Sequence, residues 1–216
     1  MAEHTSIIAA AAKSTLGPLG FRRQGRSRLW FADRGYWLSI VEFQPSGFSK
    51  GSYLNVSAHW LWTPHNYISF DHTVDDVRTF ISFEDVDQFA PSAAQQAADA
   101  VVASERLRLA HPDLTSLTDF LIERDAHWTS QGRLDCWASY NAAIACGLTN
   151  QLAKARELLV TTRERFAGWR PDFFPLVDEL EAASRKAATF GAFIHARINA
   201  NRARFGLPAL SATPAP

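Results

Sequence analysis

Residues 28–44 read Arg28-Leu29-Trp30-Phe31-Ala32-Asp33-Arg34-Gly35-Tyr36-Trp37-Leu38-Ser39-Ile40-Val41-Glu42-Phe43-Gln44. Two runs rich in aromatic and β-branched residues flank a short polar break, which is the composition of a β-hairpin. Strands are expected over Ser27–Asp33 and Tyr36–Gln44, with Arg34-Gly35 as a two-residue turn in which glycine supplies a positive φ. That turn sets Asp33 opposite Tyr36, Phe31 opposite Leu38 and Leu29 opposite Ile40. The other face then pairs Ala32 with Trp37, Trp30 with Ser39 and Arg28 with Val41.

Working outward, Pro45 to Gly51 reads as a loop, Tyr53–Trp62 as a third strand and Thr79–Glu84 as a fourth. One register of the third strand separates polar from aromatic side chains. It matches Gln44 with Tyr53, Glu42 with Asn55, Ile40 with Ser57 and Leu38 with His59. The opposite face gathers Phe43, Leu54, Val41, Val56, Trp37 and Trp60. A slip by one residue would mix the two sets. The tryptophan face, with Trp30 and Trp62 added, is the expected core, because aromatic side chains supply much of a core's buried area.

Before these strands, Thr5 or Ser6 is placed to cap a helix running to about Leu16, stopped by Gly17-Pro18. After them the pattern turns helical. Pro91 suits a first helical turn, and 92–110, Leu114–Trp128, Asp135–Cys146, Gln151–Phe166 and Asp172–Phe205 follow, with Gly147 at a C-cap position. Ala138, Ala142 and Ala145 would let a partner helix approach, as in one tetratricopeptide-like hairpin. One helix, then strands, then helices is an α+β order. The expectation is an antiparallel sheet of about four strands, with an N-terminal helix and a helical C-terminal half packed on it. Residues 1–110 form the sheet domain and 111–206 the helical part, and 207–216, holding three prolines, form a disordered tail.

The chain has 216 residues, 22 basic and 22 acidic, with 47% hydrophobic and 20% charged. Such values exclude collagen, coiled-coil and disordered classes. Zero net charge weighs against a general nucleic-acid binder. The charge is unevenly spread, with six basic and two acidic residues in 1–35 and four basic and no acidic in 186–216. Arginine outnumbers lysine 18 to 4, which together with the abundant alanine suggests a bacterial source. Cys136 and Cys146 lie ten residues apart on one expected helix, ~15 Å of rise, too far for a disulfide and suited to free thiols of a reducing cytosol. No run approaches the ~20 apolar residues of a membrane span, and Ile7–Ala12 follows Glu3 rather than a basic stretch, unlike a signal peptide. A soluble, cytoplasmic protein without membrane attachment is expected.

The run Leu19-Gly20-Phe21-Arg22-Arg23-Gln24-Gly25-Arg26, then Trp30, Phe43-Gln44-Pro45-Ser46 and Tyr53-Leu54-Asn55-Val56, resembles a bacterial family catalogued as a domain of unknown function. The shared elements are a G-F-x-R-x-G opening, a Q-x-S strand end and an Asn in the next strand. They cover roughly residues 13–110, and the stretches His59–Phe70 and Gln88-Phe89 are similar too. The resemblance implies an α+β domain and no particular reaction.

Nucleophile-elbow, P-loop, zincin and dinucleotide-binding motifs are absent from the sequence. Gly47-Phe48-Ser49-Lys50-Gly51 has phosphate-loop residue types, but lies between two strands rather than before a helix. His59, His65, Asp71 and His72 are metal-ligand types in spacings that match no ligand motif, so no metal or cofactor is expected. Arg22 to Arg28 with Phe21, Trp30 and Phe31 would suit base stacking, yet basic residues also protect an edge strand. The candidate site is the polar sheet face of Glu42, Gln44, Asn55, Ser57 and His59. Two function classes fit it. One is non-catalytic binding of a protein partner or small ligand, accessory or immunity-like. The other is a small-molecule enzyme in which Glu42 orients His59 as a general base.

Overall fold

The computed structural model describes residues 3–77, 79–133 and 135–210. It is an α+β chain with seven helices and an antiparallel six-stranded sheet among the described residues. It divides into two compact units, one of residues 1–61 and 65–109, the other of 62–64 and 110–216.

The first unit opens with α1, Glu3–Leu16. Ser6, expected as a cap, lies inside this helix, and its hydroxyl donates back to the Glu3 carbonyl. The strands are β1 (Arg22–Arg23), β2 (Leu29–Asp33), β3 (Trp37–Pro45), β4 (Gly51–Trp60), β5 (His72–Thr73) and β6 (Phe80–Ser82). Their order is β1-β2-β3-β4-β5, with β6 also paired to β4. The sheet therefore has two short strands, β1 and β5, beyond those expected.

The β2–β3 turn sits one residue later than expected. Arg34 N–H donates to the Trp37 carbonyl at 2.9 Å, leaving Gly35-Tyr36 as the two central residues. Gly35 takes φ +80° at the first of these, where a II′ turn demands glycine. The Asp33 carboxylate accepts the Gly35 N–H at 2.9 Å and fixes this choice. Register moves by two, so Asp33 faces Leu38 and Phe31 faces Ile40. A shift of two preserves which side chains share a face. The β3–β4 register is as expected throughout, from Trp37 opposite Trp60 to Gln44 opposite Tyr53.

Trp30, Trp37, Val41, Phe43, Leu54, Val56 and Trp60 are buried on one face. Trp37 and Trp60 meet edge to face at 6.2 Å. From α1, Ile8, Ala12 and Leu16 are buried, and Arg28 donates to Thr5 Oγ1 at 2.6 Å, which ties α1 to the start of β2.

Helix α2 spans Val86–Ala110, starting earlier than Pro91. Asp85 caps it through Gln88 N–H at 2.9 Å, while Gln88 Oε1 accepts the Glu84 N–H at 3.3 Å, a variant of the capping box that outweighs the proline signal. Its buried residues Phe89, Ala93, Gln96, Ala97, Ala100, Ala103, Ser104 and Leu107 follow the three-and-four spacing of one helix face. Gln96 Nε2 donates to the carbonyls of Ser52 and Thr79, joining α2 to the β4–β6 end of the sheet.

The second unit contains α3 (Leu114–Ser130), α4 (Cys136–Leu148), α5 (Leu152–Ala167), α6 (Phe174–Ala183) and α7 (Ala187–Arg204). Asp113 caps α3 and Asp135 caps α4. Helix α4 is apolar nearly all round and buried from Ala138 to Gly147, so it forms the unit's centre. Gly147 is not its C-cap. A Cβ there would stand 2.0 Å from the Phe190 ring, so glycine is needed for α7 to pack, and Asn150, at φ +63°, ends the helix instead. The expected long C-terminal helix is two: Lys186 takes an extended backbone, φ −140° and ψ 131°, between α6 and α7, and Arg156 of α5 donates to the Ser184 carbonyl at 3.0 Å.

Trp62 is not on the sheet. Its indole N–H donates to Asn141 of α4 at 2.9 Å, and its carbonyl accepts from Tyr140. Both cysteines are free and buried, and burial pushes each thiol pKa up to about 11. Of the expected tail, residues 207–210 are ordered, with Arg202 donating to the Pro208 carbonyl at 2.7 Å and Leu210 N–H donating to Asn199. Residues 211–216 lie outside the described residues.

Candidate binding face

The β3–β4 ladder places Glu42 opposite Asn55 and Gln44 opposite Tyr53. Asn55 Nδ2 donates to Glu42 Oε2 at 3.0 Å and to Gln44 Oε1 at 2.9 Å. One amide thus clamps two neighbours on the adjacent strand, and all three side chains are half-buried. The clamp uses both protons of the Asn55 amide. Glu42 Oε1, Asn55 Oδ1 and the Gln44 amide protons keep their bonding capacity. The open set is thus dominated by acceptors and carries one negative charge. Beside it, Tyr53 packs against Phe80 of β6 with ring centroids 4.7 Å apart, and Phe80 is partly exposed. At the hairpin end, the Ser46 hydroxyl accepts the N–H groups of Phe48 and Ser49, and the Phe48 ring stands fully exposed at the tip.

Ser57 and His59 occupy the same face further along β4, but they are buried. Ser57 Oγ donates to the Ala58 carbonyl at 3.1 Å. His59 Nδ1 accepts the Ser69 N–H at 3.2 Å, with Ser69 Oγ 2.9 Å and Asp71 Oδ2 3.4 Å away. Asp71 Oδ2 also accepts the Trp60 N–H at 2.7 Å. His59 therefore anchors the segment that returns to β5, and His65 stacks on Tyr67 at 4.1 Å within it. Ser69 and Asp71 both lie at Nδ1, whereas a hydrolase triad needs its hydroxyl and carboxylate at opposite ring nitrogens.

The five sequence-derived site residues thus separate into two groups. Glu42, Gln44 and Asn55 form an accessible cluster, while Ser57 and His59 form a buried one. Glu42 and His59 are not brought together. They sit opposite Asn55 and Leu38, four residues apart along the ladder, or roughly 13 Å at strand rise. Ser39 faces Ala58 on the tryptophan side, away from both. His72 also pairs with Ala58, so it lies across the sheet from His59. Among the described residues no three His, Cys, Asp or Glu side chains converge on a metal position.

Three of the four arginines of 22–28 make local contacts. Arg23 donates to the carbonyls of Ser27 and Arg26, Arg28 reaches Thr5, and Arg22 lies over the Phe31 ring.

The sequence reading missed the Tyr53–Phe80 pair and the roles of Ser69 and Asp71. Phe80 lay in an expected strand, but its neighbour was not fixed by any turn. Ser69 and Asp71 contact His59 only because of the path taken by the 65–72 segment. No family model, curated protein or solved structure matches this chain.

Proposed function

We propose that the chain is a non-catalytic bacterial cytosolic binding protein, accessory or immunity-like, whose Glu42–Asn55–Gln44 cluster captures a donor group of a protein partner or small ligand. The observation that carries this reading is the Asn55 clamp, with its bonds of 3.0 and 2.9 Å to Glu42 and Gln44. Folding does not require three polar side chains at one spot of a sheet. Their grouping in a half-apolar surround costs desolvation, which mutual bonding offsets only in part.

The cluster's charge and open acceptors select a cationic, donor-rich group. A guanidinium suits it best. It offers several N–H donors in a plane, and its flat face can lie against the Tyr53–Phe80 pair. The resemblance of residues 13–110 to the bacterial domain family belongs to this reading and supplies no reaction. His59 is the anchor of a loop in this account, and not a base.

The test is an NMR titration of isotope-labelled full chain with N-acetyl-arginine amide. The side-chain amide signals of Asn55 and Gln44 are expected to move saturably, and Glu42→Gln to weaken the effect. Signals that stay fixed at millimolar probe, or shifts that are unchanged in Glu42→Gln, would contradict the proposal.

A further inference from the structure

The helical unit carries a cavity of about 540 Å³ lined by Trp128, Arg133, Asp135, Cys136, Trp137 and Trp169. That is within the ~300–1,000 Å³ typical of small-molecule sites. Three of the chain's seven tryptophans meet there. Trp169 is 61% exposed, a large aromatic surface that burial in a core does not account for.

The surround is braced. Trp137 packs edge-on against Tyr140, Phe166 and Phe173, with centroids 5.5, 5.4 and 5.2 Å away. Arg165 donates to Asp125 and Thr129 of α3 and to the Asp135 carbonyl, tying α3 to the start of α4.

The polar groups at this cavity are unequally satisfied. The Asp135 carboxylate accepts the N–H groups of Trp137 and Ala138, both through Oδ1, so its charge is set against the N-terminus of α4. Arg165 is paired with Asp125, and nearby Arg170 is bound through two nitrogens to Asp172. Arg133 differs. It is exposed, its guanidinium lies 4.1 Å from the Trp128 ring centroid, and it has no carboxylate partner among the described residues. Trp128 Nε1–H is buried and meets no acceptor among the described residues. Burial keeps the Cys136 thiol protonated, so it brings neither charge nor a nucleophile. The cavity thus has aromatic walls, the Asp135 carboxylate held at the start of α4, and the exposed Arg133 cation without a carboxylate partner among the described residues.

A cationic ligand would find aromatic faces here but would meet the like charge of Arg133. A flat anion satisfies both features, because guanidinium pairs with carboxylate and indole surfaces take an aromatic ring. We propose that this cavity is a binding site for a planar aromatic carboxylate, the ring lying against Trp169 and Trp137 and the carboxylate paired with Arg133.

The experiment titrates naphthoate into the isotope-labelled full chain and follows the indole N–H signals, with naphthylmethylammonium and naphthylmethanol as charge controls. Naphthoate is expected to shift the Trp128 and Trp169 signals saturably and to bind more tightly than either control. Arg133→Gln, an exposed position whose fold is verified by circular dichroism, is expected to weaken naphthoate by about tenfold, the loss of one charge-assisted contact. Trp169→Ala should weaken all the probes that bind. Equal naphthoate affinity in Arg133→Gln would overturn the proposal, as would the absence of saturable shifts. So would tighter binding of the ammonium probe, which would assign an aromatic cage for cations instead.

Discussion

Asn55 Nδ2 and Glu42 Oε2 lie 3.0 Å apart across the β3–β4 ladder, and the same amide reaches Gln44. The contact exists because Gln44 faces Tyr53, a register fixed by the need to keep Trp37, Trp60 and their neighbours on one side. The core of the sheet thus positions the polar cluster on the opposite face.

Trp37 and Trp60 are both buried, so replacing either with Ala should cost about 3–5 kcal/mol. Because the two rings meet edge to face, a double-mutant cycle should show a coupling of about 0.5–1.5 kcal/mol. Urea unfolding measures both. Variants as stable as wild type would mean that the tryptophan face is not a packed core.

Gly147→Ala should destabilise by about 1–3 kcal/mol, because the new methyl meets the Phe190 ring. Trimming that ring with Phe190→Leu should reduce the penalty of the glycine substitution. A penalty that is the same in both backgrounds would mean that glycine is needed there for backbone reasons instead.

His111 is buried beside the Phe120 ring, and burial lowers its pKa. As pH falls below the ordinary histidine value of about 6.5, the unfolded chain takes up a proton that the folded chain resists. Stability from this group should therefore be unaffected above that pH and fall on the acid side. His111→Gln should flatten the acid slope of a stability–pH curve. An unchanged slope would rule out His111 as its source.

The thiols of Cys136 and Cys146 are buried, with pKa values of about 11. Neither should react with an aromatic disulfide reagent in the native state at mildly alkaline pH, and both should react in denaturant. Fast labelling of either in the folded protein would contradict their placement.

The β3–β4 register was readable from sequence because only one alignment of Glu42, Gln44, Asn55 and the tryptophans sorts polar from aromatic. Sequence alone puts the β2–β3 turn one residue early, with glycine at the second central position. Asp33's side-chain bond to Gly35 N–H, a local effect, moves it to the first. Gly147 read as a cap, since its contact with Phe190 is made by a helix some forty residues later. His59 read as a possible base for the same kind of reason. Its partners Ser69 and Asp71 come from a segment whose path no periodicity encodes. Trp128, Trp137 and Trp169 are scattered in sequence, and only the packing of the helices brings them to one cavity.

The account rests most heavily on the Asn55 clamp being a capture device rather than a structural pin. The direct measurement combines a melting curve with the N-acetyl-arginine amide titration for Asn55→Ala, following the Gln44 amide. Asn55 is half-buried, so its neighbours can turn to water, and the stability loss should be about 1 kcal/mol or less, while probe binding disappears. A loss of about 3 kcal/mol, or probe binding at wild-type strength, would contradict the account and leave the cluster a structural part of the sheet.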